Sequence, residues 1–262
     1  MKIAVSGKGG VGKTTVAGVL ADFFAKKGFK VLAIDADPAP NLALTLGLSS
    51  EQASKIIPIS ENSDLIEKKT GTGVEGVYRL SFSVDDIVRD FCVKSPGGVN
   101  LLVMGTIRSV GSGCMCSANA LIRALLRHLL VERDEVVIMD MEAGVEHMGR
   151  GTAKHVDVML TVTDSSLKSL EIGKKIYNLA KQAGIEKAFL VGNRVKKPRE
   201  GKLIEKFAAN NGIPLVEVIP YDEEILEADM QGKTPFNTSG VSKGISAIQK
   251  MGEKLIHQDV NN

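Results

Sequence analysis

The chain has 262 residues, of which 44% are hydrophobic and 24% are charged, a composition typical of a large globular α/β protein. Lysine and arginine number 33 against 31 aspartate and glutamate residues, so the formal net charge of +2 gives no reason to expect nucleic acid or an anionic membrane as the main partner. The N-terminal MKIAVSGKGG lacks the apolar segment of a signal peptide, and no stretch approaches the roughly 18 apolar residues of a membrane span. We therefore expect a cytoplasmic protein that binds neither nucleic acid nor membrane.

Short apolar runs alternate with helical patterns along most of the chain. This alternation predicts right-handed crossovers and a mostly parallel sheet with helices on both faces. Ligands bind to such sheets beyond the carboxyl ends of the strands. The predicted strands are residues 2–6, 30–35, 100–105, 135–140, 157–163, 188–193 and 214–220, and the clearest predicted helices are residues 14–27, 118–131, 167–182 and 201–210.

Two parts of the chain do not follow this alternation. Residues 49–98 mix polar and Gly-containing sequence, and we interpret them as an insertion of short helices or a hairpin rather than a second domain. Near the C-terminus, apolar residues at Ile245, Ile248, Met251 and Leu255 have a spacing that favours a final helix packed on the core over a membrane-binding helix. We therefore expect a single domain over residues 1–262.

The stretch GKGGVGKTT, residues 7–15, follows a predicted strand and opens a predicted helix. Gly7, Gly12, Lys13 and Thr14 satisfy the phosphate-loop pattern G-x-x-x-x-G-K-[ST] in the structural context that the pattern requires. The glycines allow backbone N–H groups to turn toward phosphates, Lys13 can reach the β and γ oxygens, and the Thr14 hydroxyl can hold Mg²⁺. The predicted phosphate-binding residues are Gly9, Gly10, Val11, Gly12, Lys13, Thr14 and Thr15.

The loop contains a second lysine, Lys8, five residues before Lys13. The sequence KGGVGKTT resembles the deviant Walker A motif of the P-loop ATPases that dimerise with nucleotide. That class includes the nitrogenase iron protein, the cell-division and partition ATPases and the arsenite-pump ATPase. The resemblance implies an ATP-hydrolysing homodimer in which Lys8 crosses the interface to the nucleotide on the other subunit.

Four further segments match this class, and each falls at the carboxyl end of a predicted strand. Asp35-Ala36-Asp37-Pro38 resembles the start of the first switch, and Asp140 is similar to the Walker B aspartate. Two later segments stand where the class cradles adenine. They contain Asn193 and Arg194 in one strand end, and Pro220, Tyr221 and Asp222 in another.

The resemblance also implies roles for the carboxylates. Asp37 would position or deprotonate the attacking water, with Asp35 as the alternative, and Thr14, Asp37 and Asp140 would hold Mg²⁺, Asp140 through water. Simpler structural roles stay open, because Asp37 before Pro38 could form a turn and Asp140 could cap a helix. The segment MEAGVEHMGRG, residues 141–151, is expected to be a second switch that moves with the γ-phosphate.

The three cysteines are too few for a disulfide framework. Cys114 and Cys116 are two residues apart, so one extended chain can point both thiolates to the same side and supply half of a tetrahedral site. A twofold dimer would complete a four-cysteine site, suited to Zn²⁺, Ni²⁺, Cu⁺ or an iron–sulfur cluster. The alternative is a structural pair at a helix start. Cys92 stands apart and is expected to fill the core.

The cysteine pattern distinguishes members of the resembling class. In the nitrogenase iron protein each subunit gives one cysteine from this loop and one from the second switch, where MEAGVEHMG has none. The pair Cys114 and Cys116 is instead similar to the nickel-insertion ATPases of the CooC type, which mature carbon monoxide dehydrogenase. This likeness implies a metallochaperone that holds Ni²⁺, or Zn²⁺ in its place, and uses ATP to deliver it. The alternatives are an electron donor with a bridging cluster and a partition or positioning ATPase.

Overall fold

The computed structural model describes residues 1–37, 41–73, 77, 79, 82–105, 117–131, 135–142, 153–237 and 242–260. Its centre is an eight-stranded sheet with the spatial order β3-β4-β2-β5-β1-β6-β7-β8. All neighbouring strands are parallel except β3, which pairs antiparallel with β4 at one edge. The strands are β1 (Lys2–Gly7), β2 (Val31–Ala36), β3 (Val93–Lys94), β4 (Asn100–Val103), β5 (Val136–Met141), β6 (Val158–Thr163), β7 (Lys187–Val195) and β8 (Leu215–Pro220).

Helices cover both faces of this sheet. The longer ones are α1 (Lys13–Lys26), α6 (Ser117–Val131), α7 (Leu167–Gln182), α8 (Pro198–Asn210) and α10 (Lys243–Val260). The shorter ones are α2 (Leu42–Thr45), α3 (Ser50–Ser54), α4 (Ser63–Thr70), α5 (Asp85–Phe91) and α9 (Glu223–Met230), with 3₁₀ turns at Ile59–Glu61 and Pro235–Asn237. Among the described residues, no helix combines the length and the apolar character needed to cross a membrane.

The central strands are buried on both faces, which explains their nearly continuous apolar sequence. Along β1, Ile3 and Val5 belong to the core cluster with α1 and α10, whereas the intervening Ala4 belongs to the cluster with α6. On α1, Leu20 and Phe24 are completely buried, and each such side chain stabilises the fold by about 1.5–3 kcal/mol. The sheet is thus packed on both faces by these two clusters, and the carboxyl ends of its parallel strands lie along one edge.

The predicted fold class, a mostly parallel P-loop sheet with helices on both faces, is confirmed. All seven predicted strands are present, with ends shifted by about one or two residues, although β4 already stops at Val103. Helix α8 begins at Pro198, earlier than expected, because proline suits the first helical turn, where its missing N–H costs no bond. The described part of residues 49–98 contains α3, α4, α5 and β3. The predicted final helix packs on the core through Ile245, Ile248, Met251 and Leu255, all at most 8% exposed.

Candidate nucleotide site

The phosphate loop connects β1, near the middle of the sheet, to the first turn of α1. The helix begins at Lys13, whose side chain is buried, and Gly12 precedes it in a left-handed conformation. Thr14, Thr15 and Lys8 are half-buried, whereas Gly9 and Gly10 are exposed. Because the first N–H groups of a helix have no partners within the helix, this end of α1 is suited to an anion. The predicted phosphate-binding residues thus form one continuous loop around the helix N-terminus.

Two side chains near the end of β7 form hydrogen bonds to this loop. The Asn193 side-chain amide donates a hydrogen bond to the Val11 carbonyl at 2.7 Å, and the Arg194 guanidinium donates one to the Gly10 carbonyl at 2.6 Å. The Asn193 side-chain oxygen accepts from the Arg194 backbone N–H at 2.9 Å. Asn193 was predicted as a base-binding residue, and in this structure its amide nitrogen bonds the loop while its amide oxygen bonds the backbone of Arg194.

Gly12 has two independent reasons to be glycine. Its φ of +93° lies where a Cβ is sterically disfavoured. A Cβ placed there would also lie 2.5 Å from the Asn193 amide nitrogen that bonds Val11. The close approach of β7 to the loop therefore depends on the absence of a side chain at this position.

Asp140 is the least satisfied polar group at this sheet edge. Parallel pairing of β2 with β5 sets it beside Asp35, and both carboxylates are completely buried. Neither Asp140 oxygen has a hydrogen-bond partner within the described part of the chain, although Thr14 lies close enough to favour the charged form. Burial raises the pKa of Asp140 to about 7, and the nearby Asp35 and Asp37 add to this, whereas Thr14 and Lys13 oppose it. A buried carboxylate with no hydrogen-bond partner on either oxygen among the described residues is suited to a bound cation.

Asp35 uses its oxygens differently. Its Oδ2 accepts from the Leu42 backbone N–H at 2.9 Å and its Oδ1 accepts from the Asp37 N–H at 3.2 Å. Burial raises the pKa of Asp35 to about 6, and these backbone hydrogen bonds partly offset the effect. Asp35 thus fixes the chain that follows β2, whereas Asp37 lies beyond the strand end and is half-buried. Both Asp35 oxygens are occupied by backbone N–H groups, and the water-positioning role of Asp37 stays a prediction.

These residues fit a magnesium ion. The two orphaned oxygens of Asp140 and the hydroxyl of Thr14 are oxygen donors of the type that Mg²⁺ prefers, and they lie next to the phosphate loop. At the end of β1, the Ser6 hydroxyl donates to the Glu142 carbonyl at 2.8 Å. This bond ties the strand that leads into the loop to the first residues of the predicted second switch.

An open cleft adjoins the loop on the β7 and β8 side. The five residues predicted to cradle adenine all line it: Asn193, Arg194, Pro220, Tyr221 and Asp222. Five further lining residues were not predicted as site residues, because α9 had not been recognised as a helix and the patterns of β8 and α10 indicated core packing alone. They are Ile219, Ile225, Leu226, Asp229 and Ile248.

The Asp222 carboxylate serves the fold as well as the cleft wall. It caps α9 by accepting from the Glu224 N–H at 3.0 Å, and its second oxygen accepts from the Ser242 hydroxyl and the Gly244 N–H at 2.7 and 2.9 Å. Burial opposes its ionisation, but these bonds prevail and lower the pKa of Asp222. Its side chain therefore joins the starts of α9 and α10. Beside it, the Lys196 ammonium lies 4.2 Å from the centre of the Tyr221 ring.

The predicted metal-binding cysteines, Cys114 and Cys116, lie outside the described residues, as do Pro38 and residues 143–151 of the predicted second switch. Over the ranges that the structure describes, no group of three or more His, Cys, Asp and Glu side chains could hold a metal ion. Cys92 is half-buried and packs against the core cluster of α6. The expectation of a cysteine metal site thus still rests on the sequence.

The phosphate loop lies at the start of α1, the buried Asp140 lies on the neighbouring strand β5, and a cleft adjoins the loop. Together these features define a P-loop nucleotide-binding protein. Residues 2–236 match the CobQ/CobB/MinD/ParA nucleotide-binding domain, and the chain belongs to this family. The family predicted from the deviant Walker A motif and the predicted enzyme class, an ATPase, are therefore confirmed.

Several relatives extend this comparison. The carbon monoxide dehydrogenase accessory protein CooC of Rhodospirillum rubrum is 42% identical over 243 residues, which cover 91% of this chain and 90% of that protein. An ATP-binding protein of Methanocaldococcus jannaschii is 42% identical over 259 residues, or 98% of both chains. Among solved structures, the cell-division protein MinD of Aquifex aeolicus aligns with a TM-score of 0.69 at 20% identity, covering 98% of this chain and 97% of that one. A ParA-family ATPase of Chlorobium tepidum TLS gives a TM-score of 0.69 at 21% identity, covering 97% and 98%.

Proposed function

We propose that this protein is an ATP-hydrolysing metallochaperone that dimerises with nucleotide and inserts nickel into carbon monoxide dehydrogenase. The observation that carries the proposal is the 42% identity with a carbon monoxide dehydrogenase accessory protein over nine-tenths of both chains. The pair Cys114 and Cys116 supplies the soft ligands that such a cargo needs. The cytoplasmic location expected from the sequence stays a prediction.

The described residues can divide the work of hydrolysis between them. The loop N–H groups and Lys13 would bind the phosphates and stabilise the charge that develops as the bond between the β and γ phosphates breaks. Asp37 would orient the attacking water and accept its proton, giving ADP and inorganic phosphate. Thr14 and Asp140, with Asp37, would hold Mg²⁺, which when bound offsets charge on the phosphate oxygens. The orphaned oxygens of Asp140 support this assignment.

The proposed dimer joins the nucleotide to the cargo. Lys8 would reach the phosphates bound to the partner subunit, so that ATP stabilises the dimer more than the monomer. Two copies of Cys114 and Cys116 would meet at the twofold axis and hold one Ni²⁺, or Zn²⁺ in its place, between four thiolates. Nucleotide and cargo would then favour the same assembly, and each would tighten the binding of the other by the same factor.

Metal content per dimer tests this proposal. Equilibrium dialysis of the reduced wild-type protein should find one Ni²⁺ or Zn²⁺ per dimer, with metal–sulfur distances of roughly 2.3 Å by X-ray absorption. Cys114→Ser or Cys116→Ser should abolish this binding and leave ATP affinity in the metal-free protein nearly unchanged. Cys92→Ser is the matched control, because Cys92 packs on the core, and it should keep the metal.

Three results would contradict the proposal. One metal per monomer, or a coordination shell of nitrogen and oxygen, would exclude a shared four-thiolate site. Four irons and four sulfides per dimer in anaerobic preparations would instead establish the electron-donor alternative. Failure of the wild-type protein to activate nickel-free carbon monoxide dehydrogenase in the presence of nickel and ATP would remove the insertion role.

A further inference from the structure

Arg194 has an unusual backbone conformation for its residue type. Its φ is +57°, and it is the one residue other than glycine with a positive φ in the part of the chain that the structure describes. Left-handed conformations are disfavoured for residues with a long side chain and persist where surrounding contacts enforce them. Arg194 follows Asn193 near the end of β7, directly against the phosphate loop.

Two side-chain contacts at this strand end reach the loop. The Arg194 guanidinium bonds the Gly10 carbonyl, and the Asn193 amide bonds the next carbonyl, that of Val11. The Arg194 backbone N–H is held by the Asn193 side-chain oxygen. The side chains of two successive residues of β7 therefore donate hydrogen bonds to two successive carbonyls of the loop.

We propose that Arg194 is a positioning residue that orients the phosphate loop rather than a residue that binds the base. A peptide unit is planar and trans, so a carbonyl fixed toward β7 turns the N–H of the same unit to the opposite side. The N–H of this unit, that of Val11, accordingly turns away from β7 and donates a hydrogen bond to the Lys8 carbonyl at 3.4 Å, within the loop. Release of the Gly10 carbonyl would allow this unit to rotate and turn its oxygen toward the phosphates.

The inference rests on the proposed ATP site. It predicts which ligands bind more weakly when Arg194 is replaced. Arg194 also lines the cleft beside the loop, so a direct contact with the base is the alternative. A residue that orients the loop affects every ligand with a phosphate chain, whether or not it carries a base. A residue that touches the base affects ATP but leaves inorganic tripolyphosphate unchanged.

The experiment compares Arg194→Gly and Arg194→Lys with the wild type by calorimetric titration of ATP and of inorganic tripolyphosphate. Arg194→Gly removes the guanidinium and relieves the left-handed strain, so it should weaken both ligands by about tenfold or more, the scale of one charged hydrogen bond. Its unfolding temperature without nucleotide should be no lower than that of the wild type. Arg194→Lys keeps a cation and should recover part of both affinities. Arg199→Ala, which removes another exposed arginine at the start of α8, should change neither affinity.

Each contrary outcome has a distinct meaning. Weaker ATP binding with unchanged tripolyphosphate binding would assign Arg194 to the base and overturn the inference. Unchanged binding of both ligands by Arg194→Gly would show that the contact with Gly10 does not orient the loop. Loss of affinity that occurs only together with a lower unfolding temperature would assign Arg194 to fold stability. Failure of the wild type itself to bind ATP would overturn the proposed function, and the inference with it.

Discussion

Replacement of Gly12 by alanine tests the contact between β7 and the phosphate loop. The new Cβ would meet two obstacles, a φ of +93° and the Asn193 amide nitrogen at 2.5 Å. The left-handed conformation costs about 1–2 kcal/mol for a residue with a Cβ. Displacement of Asn193 would also leave the Val11 carbonyl without its bond, at about 1–3 kcal/mol. We therefore expect Gly12→Ala to lower the free energy of unfolding by about 2–5 kcal/mol.

Gly10→Ala is the matched control within the same loop. Gly10 has a similar φ of +81°, but a Cβ there would have no neighbour within 4 Å among the described atoms. The free energy of unfolding of Gly10→Ala should therefore fall only by the cost of the left-handed conformation, about 1–2 kcal/mol. Urea unfolding of the nucleotide-free proteins, followed by circular dichroism, measures both values.

A double-mutant cycle separates the clash from the strain. Asn193→Ala removes the amide that the new Cβ would strike, so Gly12→Ala should cost at least about 1 kcal/mol less in that background. Equal costs for Gly12→Ala and Gly10→Ala, together with no coupling to Asn193, would refute the argument. The loop would then tolerate a side chain at Gly12 without disturbing β7.

Three further predictions concern ionisation, hydrolysis and assembly. Asp140 and Asp35 have pKa values raised to about 7 and 6 from 3.8, so between about pH 4 and 7 the native state retains protons that the unfolded chain has lost. The free energy of unfolding of the metal-free protein should therefore fall as pH rises through this window, and Asp140→Asn should flatten the decline; an unchanged pH profile would contradict this. Lys13→Ala should lose both ATP affinity and hydrolysis, whereas Asp37→Asn should still bind ATP but hydrolyse it far more slowly. Phosphate release at the wild-type rate by either variant would exclude the role assigned to that residue. Lys8→Ala should bind ATP as a monomer but dimerise poorly, and sedimentation showing wild-type dimerisation with ATP would exclude a role in trans.

Much of the fold could be predicted because its signals are local. Apolar runs of strand length, separated by helical patterns, need only near neighbours in sequence to be recognised. The phosphate loop is equally local, since one short stretch supplies the turn, the lysine and the helix start. Elements with weaker patterns, such as α9 and the two-residue β3, escaped prediction, because their formation depends on packing against distant parts of the chain.

The candidate site was predicted as a set of residues, and the tertiary structure decided what each side chain does. Asn193 and Arg194 line the cleft predicted for the base, and both also bond carbonyls of the phosphate loop, 182 and 184 residues away in sequence. Asp35 and Asp140 look alike in sequence, at the ends of two apolar strands. Strand register places them side by side, and the local backbone bonds Asp35 but leaves the Asp140 oxygens without a hydrogen-bond partner among the described residues. The sequence by itself determined most of the elements and which polar groups meet at one sheet edge, whereas the tertiary structure decided, through strand pairing and the backbone that follows each strand, which of those groups the fold already bonds.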